Sequence, residues 1–316
     1  MIRRVIESAP LPPAAVAALA APRPVSLKEA YAVCERIARA HTENFPVASR
    51  FLPAHLRPHV WALYAFARSA DDFADEAEFA GRRGQALARW EENLERAFHG
   101  EAEHPVFIAL RHTVEKFELP IQPFQELLTA FTMDLSVNRY PTWSALDSYI
   151  QHAAHPIGRT LLYIFGYRDP QLHRWSDDIC SALLVTNLLQ DVAIDLEKDR
   201  VYLPEEDLRH FGLSSESLYA RAATPAFRDL MRFEVAKARA LYERGRPLLD
   251  AVGKDLGFEL ALIWCGGVGI LDKIEAVGFD VFRRRPTMHA ADKAMVVARA
   301  ATMRRPSFSL SRPANG

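Results

Sequence analysis

Four carboxylates lie within six positions of the stretch RSADDFADE, which spans residues 68–76. They are Asp71, Asp72, Asp75 and Glu76, and the segment before them, HVWALYAFA, is almost wholly apolar. Like charges this close repel one another, so a positive charge nearby is expected to offset the repulsion. Asp71 and Asp75 are four positions apart, as are Asp72 and Glu76, and this spacing places each pair on one stripe of a helix.

A second acidic stretch, TNLLQDVAIDLEKDR, spans residues 186–200 and contains Asn187, Asp191, Asp195 and Asp199 at intervals of four. This spacing predicts that the four side chains stack along one helical stripe. Oxygen ligands without Cys or His suit hard cations such as Mg²⁺ or Mn²⁺, and Mg²⁺ commonly shares its coordination with a substrate phosphate. Together the two stretches predict two helices that face each other across a cavity and hold a diphosphate through bridging metal ions. Taken singly, each stretch could also be a solvated helix face.

Basic residues flank both acidic stretches. Arg68 lies one helical turn before Asp71 and Asp72, while Lys198 and Arg200 follow the second stretch. A guanidinium fork matches the oxygens of a phosphate. An ion pair within the helix, from Arg68 to Asp72, is the alternative use of the same residue. The sequence leaves both open.

The elements that position these residues are predicted to be helices. Ser26 and Glu29 form a capping box at the start of a helix over residues 26–45. Further apolar periodicity predicts helices over 57–79, 84–98, 105–118, 121–137, 144–167, 172–196, 227–252 and 255–277. No alternating strand pattern or internal repeat is present, so we predict an all-α fold with a flexible leader over 1–24, one domain over 25–303 and a flexible tail over 304–316.

Composition excludes several classes of protein. The chain has 316 residues, of which 49% are hydrophobic and 25% charged, with a net charge of −1, so nothing favours nucleic acid as a partner. Three dispersed cysteines, Cys34, Cys180 and Cys265, predict buried reduced thiols and a cytoplasmic location. The longest uncharged run near residues 260–271 is shorter than the ~20 residues that span a bilayer, so no transmembrane helix is predicted.

The stretches HVWALYAFARSADDFADE and LLVTNLLQDVAIDLEKDRVYLPEEDL resemble the two Asp-rich signatures of the squalene/phytoene synthase family, the head-to-head trans-isoprenyl diphosphate synthases. LDKIEAVGFDVFRRRP near 271–286 resembles the C-terminal helix of that family and its Arg-rich end. The resemblance covers residues 26–286. It implies an all-α isoprenoid synthase fold, a helical bundle around a central cavity, and chemistry on a prenyl diphosphate that depends on Mg²⁺, with Mn²⁺ as a substitute.

The resemblance also assigns site residues by matching motifs. The implied metal ligands are Asp71, Asp72, Asp75, Asn187, Asp191 and Asp195. The implied catalytic residues are Tyr64, Arg68, Asp71, Asp75, Asp191 and Asp195. The implied substrate-binding residues are His41, Thr42, Phe45, Arg68, Asn187, Gln190 and Arg200. Thr42 departs mildly from the family, which has Ser at this position.

Two short stretches resemble one subgroup of the family. ENFPVAS at 43–49 and HPIGRTLL at 155–162 are similar to bacterial hydroxysqualene synthases of hopanoid biosynthesis. Those enzymes convert presqualene diphosphate and water to hydroxysqualene and diphosphate. Condensing members of the family typically have Tyr-Val-Ala-Gly where this chain has His152 and His155 at the outer positions. Either histidine could hold the attacking water, or each could be a structural side chain.

Two other functions remain open. One is a condensing synthase that makes presqualene diphosphate, squalene or phytoene from two prenyl diphosphates. The other is a non-catalytic assembly factor, which intact carboxylates at both stretches disfavour. The glycine run CGGVGILD lacks the spacing and strand context of a dinucleotide site, so no nicotinamide cofactor is predicted. Besides the prenyl diphosphate, we expect loose peripheral membrane contact through a basic rim at Arg283–Arg285 and transient contact with neighbouring pathway enzymes.

Overall fold

The computed structural model describes residues 25–40 and 52–303, and within them the chain forms α-helices and two short 3₁₀ helices without any strand. The prediction of an all-α fold is confirmed. The α-helices are α1 (Leu27–Ala40), α2 (Arg57–Asp75), α3 (Arg83–Phe98), α4 (Pro105–Phe117), α5 (Gln122–Met133), α6 (Trp143–Ala153), α7 (His155–Ile164), α8 (Pro170–Gln190), α9 (Val192–Glu197), α10 (Glu205–His210), α11 (Pro225–Gly245), α12 (Leu248–Ala251), α13 (Lys254–Ala276) and α14 (Ala290–Met303). The 3₁₀ helices are Ala77–Phe79 and Glu216–Ala220.

The chain folds as two compact units. Of the described residues, the first unit comprises 25–40, 52–137 and 151–168, and the second comprises 138–150 and 169–303. In the first unit α2 to α5 surround an aromatic cluster, in which the Phe66 ring lies 5.4 Å from Phe124 and the Trp90 ring 4.4 Å from Phe107, centroid to centroid. The indole of Trp90 also donates a hydrogen bond to the carbonyl of Phe66. These rings fix α2, the helix that carries the first acidic stretch.

A partly buried polar cluster joins α1, α2 and α4 in the same unit. Lys116 has only donors, so His59 Nε2 accepts from its ammonium at 3.2 Å and His59 Nδ1 carries the ring proton. That Nδ1 lies 2.9 Å from both Thr113 Oγ1 and Tyr31 Oη. Tyr31 Oη in turn lies 2.8 Å from His112 Nδ1. The cluster ties three helices together through one tautomer of His59.

In the second unit, glycines allow long helices to approach closely. A methyl group at Gly245 of α11 would lie 2.6 Å from the Ile179 side chain and 2.7 Å from the Trp175 carbonyl oxygen of α8. A methyl group at Gly267 of α13 would overlap the hydroxyl of Tyr242 on α11. Both glycines therefore fix how α8, α11 and α13 pack. This packing sets the position of the C-terminal end of α8, where the second acidic stretch begins.

Several predicted boundaries hold and others are corrected. The capping box is confirmed, since Glu29 N lies 3.3 Å from Ser26 Oγ and Ser26 N lies 2.9 Å from Glu29 Oε2. The helix predicted over 144–167 is broken at Ala154, and the helix predicted over 172–196 is broken at Asp191. The helix α14 was not predicted.

Cysteine burial follows the prediction in part, because Cys34 and Cys265 are buried while Cys180 is half-buried. Among the described residues no helix is long and apolar enough to cross a bilayer.

Candidate active site

The helix α2 presents the first acidic stretch at its C-terminal end. Its apolar residues bury most of the helix, and the polar side chains of Arg68, Asp71 and Asp72 are buried with them, each 3% exposed. Asp75, the last residue of α2, is half-buried, and Glu76 is exposed. The expected one-turn spacing of Asp71 and Asp75 on α2 is therefore present.

Arg68 uses its guanidinium within the helix. Its Nη1 lies 3.3 Å from Asp71 Oδ2, and its Nη2 forms an ion pair with Asp72 Oδ1. The exposed Glu76 is 3.9 Å from the same Nη2. Of the two uses that the sequence left open for Arg68, this structure shows the intrahelical ion pair.

Burial dominates the electrostatics of this stretch. Burial raises the pKa of Asp72 to about 7, against the lowering effect of Arg68 and with a smaller contribution from Asp71. Burial likewise raises the pKa of Tyr64, one turn before Arg68, to about 12. Tyr64 is therefore a neutral hydrogen-bonding group at neutral pH. Asp72 can exist with or without its proton near pH 7, and a divalent cation would favour the ionised form.

The second acidic stretch lies where α8 ends. The helix stops at Gln190, and Asp191 has φ −106° and ψ 11° before α9 begins at Val192. The i to i+4 backbone hydrogen bonds nevertheless continue through the kink, since Asp191 N donates to Asn187 O at 3.0 Å and Asp195 N donates to Asp191 O at 2.8 Å. Asn187, Asp191 and Asp195 therefore stay one turn apart.

Asp199 is a correction to the predicted four-residue stripe. It follows the end of α9 with φ 53°, so it leaves the helical path. Its carboxylate is bound by Arg139 at 2.6 Å, by Tyr219 at 2.5 Å and by Asn138 at 3.2 Å. The hydrogen bond from Tyr219, followed by Arg139, lowers the pKa of Asp199. Asp199 thus has a structural role at the surface of the second unit.

Asp195 and Arg200 line a small cavity within the second unit. The cavity measures about 20 Å³ and is otherwise lined mainly by apolar residues, with Glu234 of α11 as a further polar group. Such a volume holds about one water molecule, so this cavity cannot contain a prenyl chain. Burial raises the pKa of Glu234 to about 8, partly offset by Lys237, and a hydrogen bond with Asp207 raises it further. A neutral acid therefore lies behind the second acidic stretch.

Two contacts at the kink involve residues far along the chain. Arg285 Nε lies 2.5 Å from Asp191 Oδ1, and Arg285 Nη2 lies 3.3 Å from Asp191 Oδ2. The amide of Gln190 donates to the carbonyl of Pro286. Sequence analysis placed Arg285 on a membrane-facing rim and did not link it to Asp191. The RRRP run was the available signal, but nothing in one sequence pairs it with a residue 94 positions away.

Known proteins resemble this chain along most of its length. A sequence model described as squalene/phytoene synthase matches residues 38–292. The chain belongs to the squalene/phytoene synthase family.

Among its relatives, the phytoene synthase of Thermus thermophilus is 33% identical over 279 residues, 88% of this chain and 94% of the relative. The 15-cis-phytoene synthase of Synechocystis is 31% identical over 272 residues, 82% of this chain and 81% of the relative. The crystal structure of squalene synthase HpnC from Alicyclobacillus acidocaldarius superposes with a TM-score of 0.78 at 42% identity, covering 84% of this chain and 98% of that one.

The donor set of this family member fits Mg²⁺ shared with a substrate phosphate. Among the described residues no three His, Cys, Asp or Glu side chains converge as a preformed metal cage. Mg²⁺ is commonly bound through one or two carboxylates plus phosphate oxygens and water, so a cage is not needed. The candidate ligands within the first unit are Asp71, Asp72 and Asp75, and those within the second unit are Asn187, Asp191 and Asp195. All of them are oxygen donors, as a hard cation prefers.

The remaining predicted residues have mixed outcomes. His41, Thr42 and Phe45 lie outside the described residues. Arg200 is 8% exposed and lines the small cavity, whereas Lys198 is exposed. His155 is the first residue of α7 and is 9% exposed, and His152 is half-buried near the end of α6.

Proposed function

We propose that this member of the squalene/phytoene synthase family is a hydroxysqualene synthase, which converts presqualene diphosphate and water to hydroxysqualene and diphosphate. The observation that carries the proposal is the 42% identity to the squalene synthase HpnC over 98% of that chain. The phytoene synthases named above are 31–33% identical. The His-Ala-Ala-His sequence at 152–155, in place of the tyrosine and glycine of condensing members, supports the same assignment.

The first step breaks the carbon–oxygen bond to diphosphate, and the bonding electron pair leaves with the diphosphate. Mg²⁺ bound to the two acidic stretches would supply charge neutralisation for that leaving group. In this chain Arg68 holds Asp71 and Asp72 by ion pairs, so both carboxylates keep one orientation before substrate binds. Backbone hydrogen bonds across the kink at Asp191 keep Asn187, Asp191 and Asp195 one turn apart.

The second step forms the new carbon–oxygen bond. One C–C bond of the cyclopropane ring in the resulting carbocation breaks, which moves the positive charge to a ring carbon; a water oxygen attacks that carbon, and the water loses a proton to give the neutral alcohol. His152 and His155 are the candidates to orient that water and accept the proton, because an imidazole side chain can act as a general base. The proposed reaction consumes no external reductant, so it requires no nicotinamide.

Product analysis tests the proposal. Purified protein with Mg²⁺ is incubated with presqualene diphosphate in H₂¹⁸O. We expect hydroxysqualene that carries one ¹⁸O atom, and we expect EDTA to abolish it. Hydroxysqualene without the label, or no turnover of presqualene diphosphate by a protein that consumes farnesyl diphosphate, would contradict the assignment.

A condensing synthase is the second candidate, and the named phytoene synthase relatives favour it. Farnesyl and geranylgeranyl diphosphates are supplied to the same protein in separate reactions. Formation of presqualene diphosphate or phytoene would support this candidate over the first. Conversion of presqualene diphosphate alone would exclude it.

A non-catalytic assembly factor is the remote alternative. Asp71→Asn and Asp191→Asn remove one negative charge from each acidic stretch with little change of shape. Loss of turnover in both variants, with unchanged circular dichroism, is expected of an enzyme. A protein that shows no turnover of any of the three diphosphates before mutation would favour the assembly role.

A further inference from the structure

The segment over residues 277–289, called here the connecting segment, links α13 to α14 and touches the second acidic stretch. Two adjacent residues at the kink bind two adjacent residues of this segment. Gln190 binds the carbonyl of Pro286, and Asp191 accepts two hydrogen bonds from Arg285. Both contacts lie within the second unit of the chain.

The connecting segment is held at other points that do not involve Arg285. The ring of Phe282 packs on Phe227 of α11 with centroids 4.5 Å apart. Arg228 donates to the carbonyl of Gly278. Beyond the segment, Lys273 and Asp292 form an ion pair of 2.8 Å that joins α13 to α14. Removal of the Arg285 charge is therefore expected to leave the backbone of the segment in place.

The Arg285–Asp191 contact is important for stability because the Asp191 carboxylate is buried. The Asp191 side chain is 0% exposed and the Arg285 side chain is 30% exposed. A buried carboxylate needs a cation or strong donors, and a guanidinium that forks onto both oxygens supplies them. The two oxygens that accept from Arg285 are also those through which Asp191 would coordinate a metal. A guanidinium and a divalent cation on the same carboxylate repel each other.

We propose that Arg285 is a positioning residue of the second acidic stretch: it holds Asp191 as a resident cation and is displaced when a divalent metal ion binds there. This role of Arg285 rests on the metal binding of the proposed function. It adds that Arg285 and the metal ion compete for the carboxylate of Asp191. Arg285 keeps the Asp191 carboxylate aligned and charge-balanced inside the protein, and this lowers the affinity of Asp191 for the metal.

Metal binding without substrate tests the inference. Arg285→Gln removes the charge and keeps much of the side chain, and Arg285→Lys keeps the charge without the fork. Arg283→Gln is the matched control, since Arg283 is two positions away, 89% exposed, and bound to Asp280. Thermal unfolding is measured in EDTA and in Mg²⁺, and Mg²⁺ affinity is measured by titration calorimetry.

We expect Arg285→Gln to melt at a lower temperature than the wild type in EDTA and to show a larger Mg²⁺-induced rise. We expect it to bind Mg²⁺ about tenfold more tightly, a difference of about 1.4 kcal/mol. Arg285→Lys should fall between the two, and Arg283→Gln should match the wild type. In an Asp191→Asn background, Arg285→Gln should change neither melting temperature nor affinity further.

Three results would overturn the inference. A lower melting temperature in EDTA with an unchanged Mg²⁺-induced rise would make the pair purely structural. An equal gain in affinity for Arg283→Gln would indicate a general charge effect. Absence of Mg²⁺ binding to both the wild type and Arg285→Gln would remove the competition altogether. The product assay in EDTA and Mg²⁺ then decides separately whether the proposed function fails as well, because turnover can persist when only the Arg285 inference is wrong.

Discussion

At the residue scale, Arg68 serves two buried carboxylates with one guanidinium. Its partners Asp71 and Asp72 are each 3% exposed, so all three charges are shielded from water. A buried ion pair adds little stability over an apolar replacement, but loss of one partner leaves an uncompensated charge. Arg68 therefore offsets the negative charge of Asp71 and Asp72 inside the protein.

Replacement of Arg68 by Gln should destabilise the protein. We expect a loss of about 3 kcal/mol in the free energy of unfolding at pH 8. The loss should be smaller at pH 5, because Asp72, whose pKa is already raised to about 7, can take up a proton. Urea unfolding at both pH values measures the effect.

Arg96→Gln is the control for that experiment, since Arg96 pairs with the exposed Glu101 and Glu103. Its effect should stay within about 0.5 kcal/mol. Equal effects of the two substitutions at pH 8 would show that burial of the Arg68 pairs has no energetic weight.

Glu259 of α13 is another buried acid. It is 2% exposed, its Oε2 has no hydrogen-bond partner among the described residues, and burial raises its pKa to about 9. The folded protein therefore keeps a proton on Glu259 that the unfolded chain loses above its ordinary pKa. The resulting stability is fully present at low pH and is lost as the pH rises toward 9.

Glu259→Gln should accordingly stabilise the protein in alkaline solution. We expect a gain of at least about 1.4 kcal/mol at pH 8 relative to pH 4, the value of one pKa unit. The free energy of unfolding is compared for both proteins from pH 4 to 9. A difference that does not change with pH would show that Glu259 titrates normally.

At the residue scale, motif spacing predicts which side chains share a helical stripe but not which side chains bind partners far along the chain. Asp71, Asp72, Asp191 and Asp195 are all buried, which their spacing alone does not determine. Asp199 has the same spacing but is bound by Arg139 and Tyr219. These partners are separated from Asp199 by 60 and 20 positions, so periodicity could not reveal them.

At the element scale, the helices α1, α2 and α4 depend on the neutral form of His59. Burial, followed by the charge of Lys116, lowers the pKa of His59 to about 4. The unfolded chain binds a proton on this residue below about 6.5 that the folded chain binds only near 4. Stability is therefore present above pH 6.5 and is lost as the pH falls toward 4.

His59→Gln removes the titration and should flatten this acid loss. We expect the variant to be less stable than the wild type at pH 7.5, since it loses hydrogen bonds to Lys116 and Thr113. Its free energy of unfolding should then decrease less between pH 6.5 and 4. Thermal melts over that range measure the difference, and His99→Gln, at an exposed residue, is the control. Parallel pH profiles for the wild type and His59→Gln would contradict the assignment.

Long helices were predictable from periodicity, whereas breaks within them were less so. The break before α7 had a signal in Pro156, since the residue before a proline avoids helical geometry. The break at Asp191 had no such signal, because backbone hydrogen bonds keep the four-residue period on both sides of it. The four-residue period predicts the acidic stripe, but it gives no indication of the break in the helix at Asp191.

At the scale of the whole molecule, only two of the three arginines in the expected membrane-contacting rim are exposed. Arg283 and Arg284 are exposed, but Arg285 binds Asp191. The double substitution Arg283→Gln and Arg284→Gln should weaken flotation with anionic liposomes at low salt by up to about 1 kcal/mol per charge. Arg174→Gln with Arg209→Gln removes the same charge elsewhere in the second unit and should have no such effect. Equal flotation of all three proteins would place the contact elsewhere.

One fully buried thiol lies in each compact unit, Cys34 in the first and Cys265 in the second. An alkylating reagent can reach either sulfur only when its surroundings open. With the half-buried Cys180 replaced by Ser, the rate of modification at each sulfur reports the opening of its own unit. Identical rates across a denaturant series would mean that the two units unfold cooperatively. Different rates would identify the unit that unfolds first.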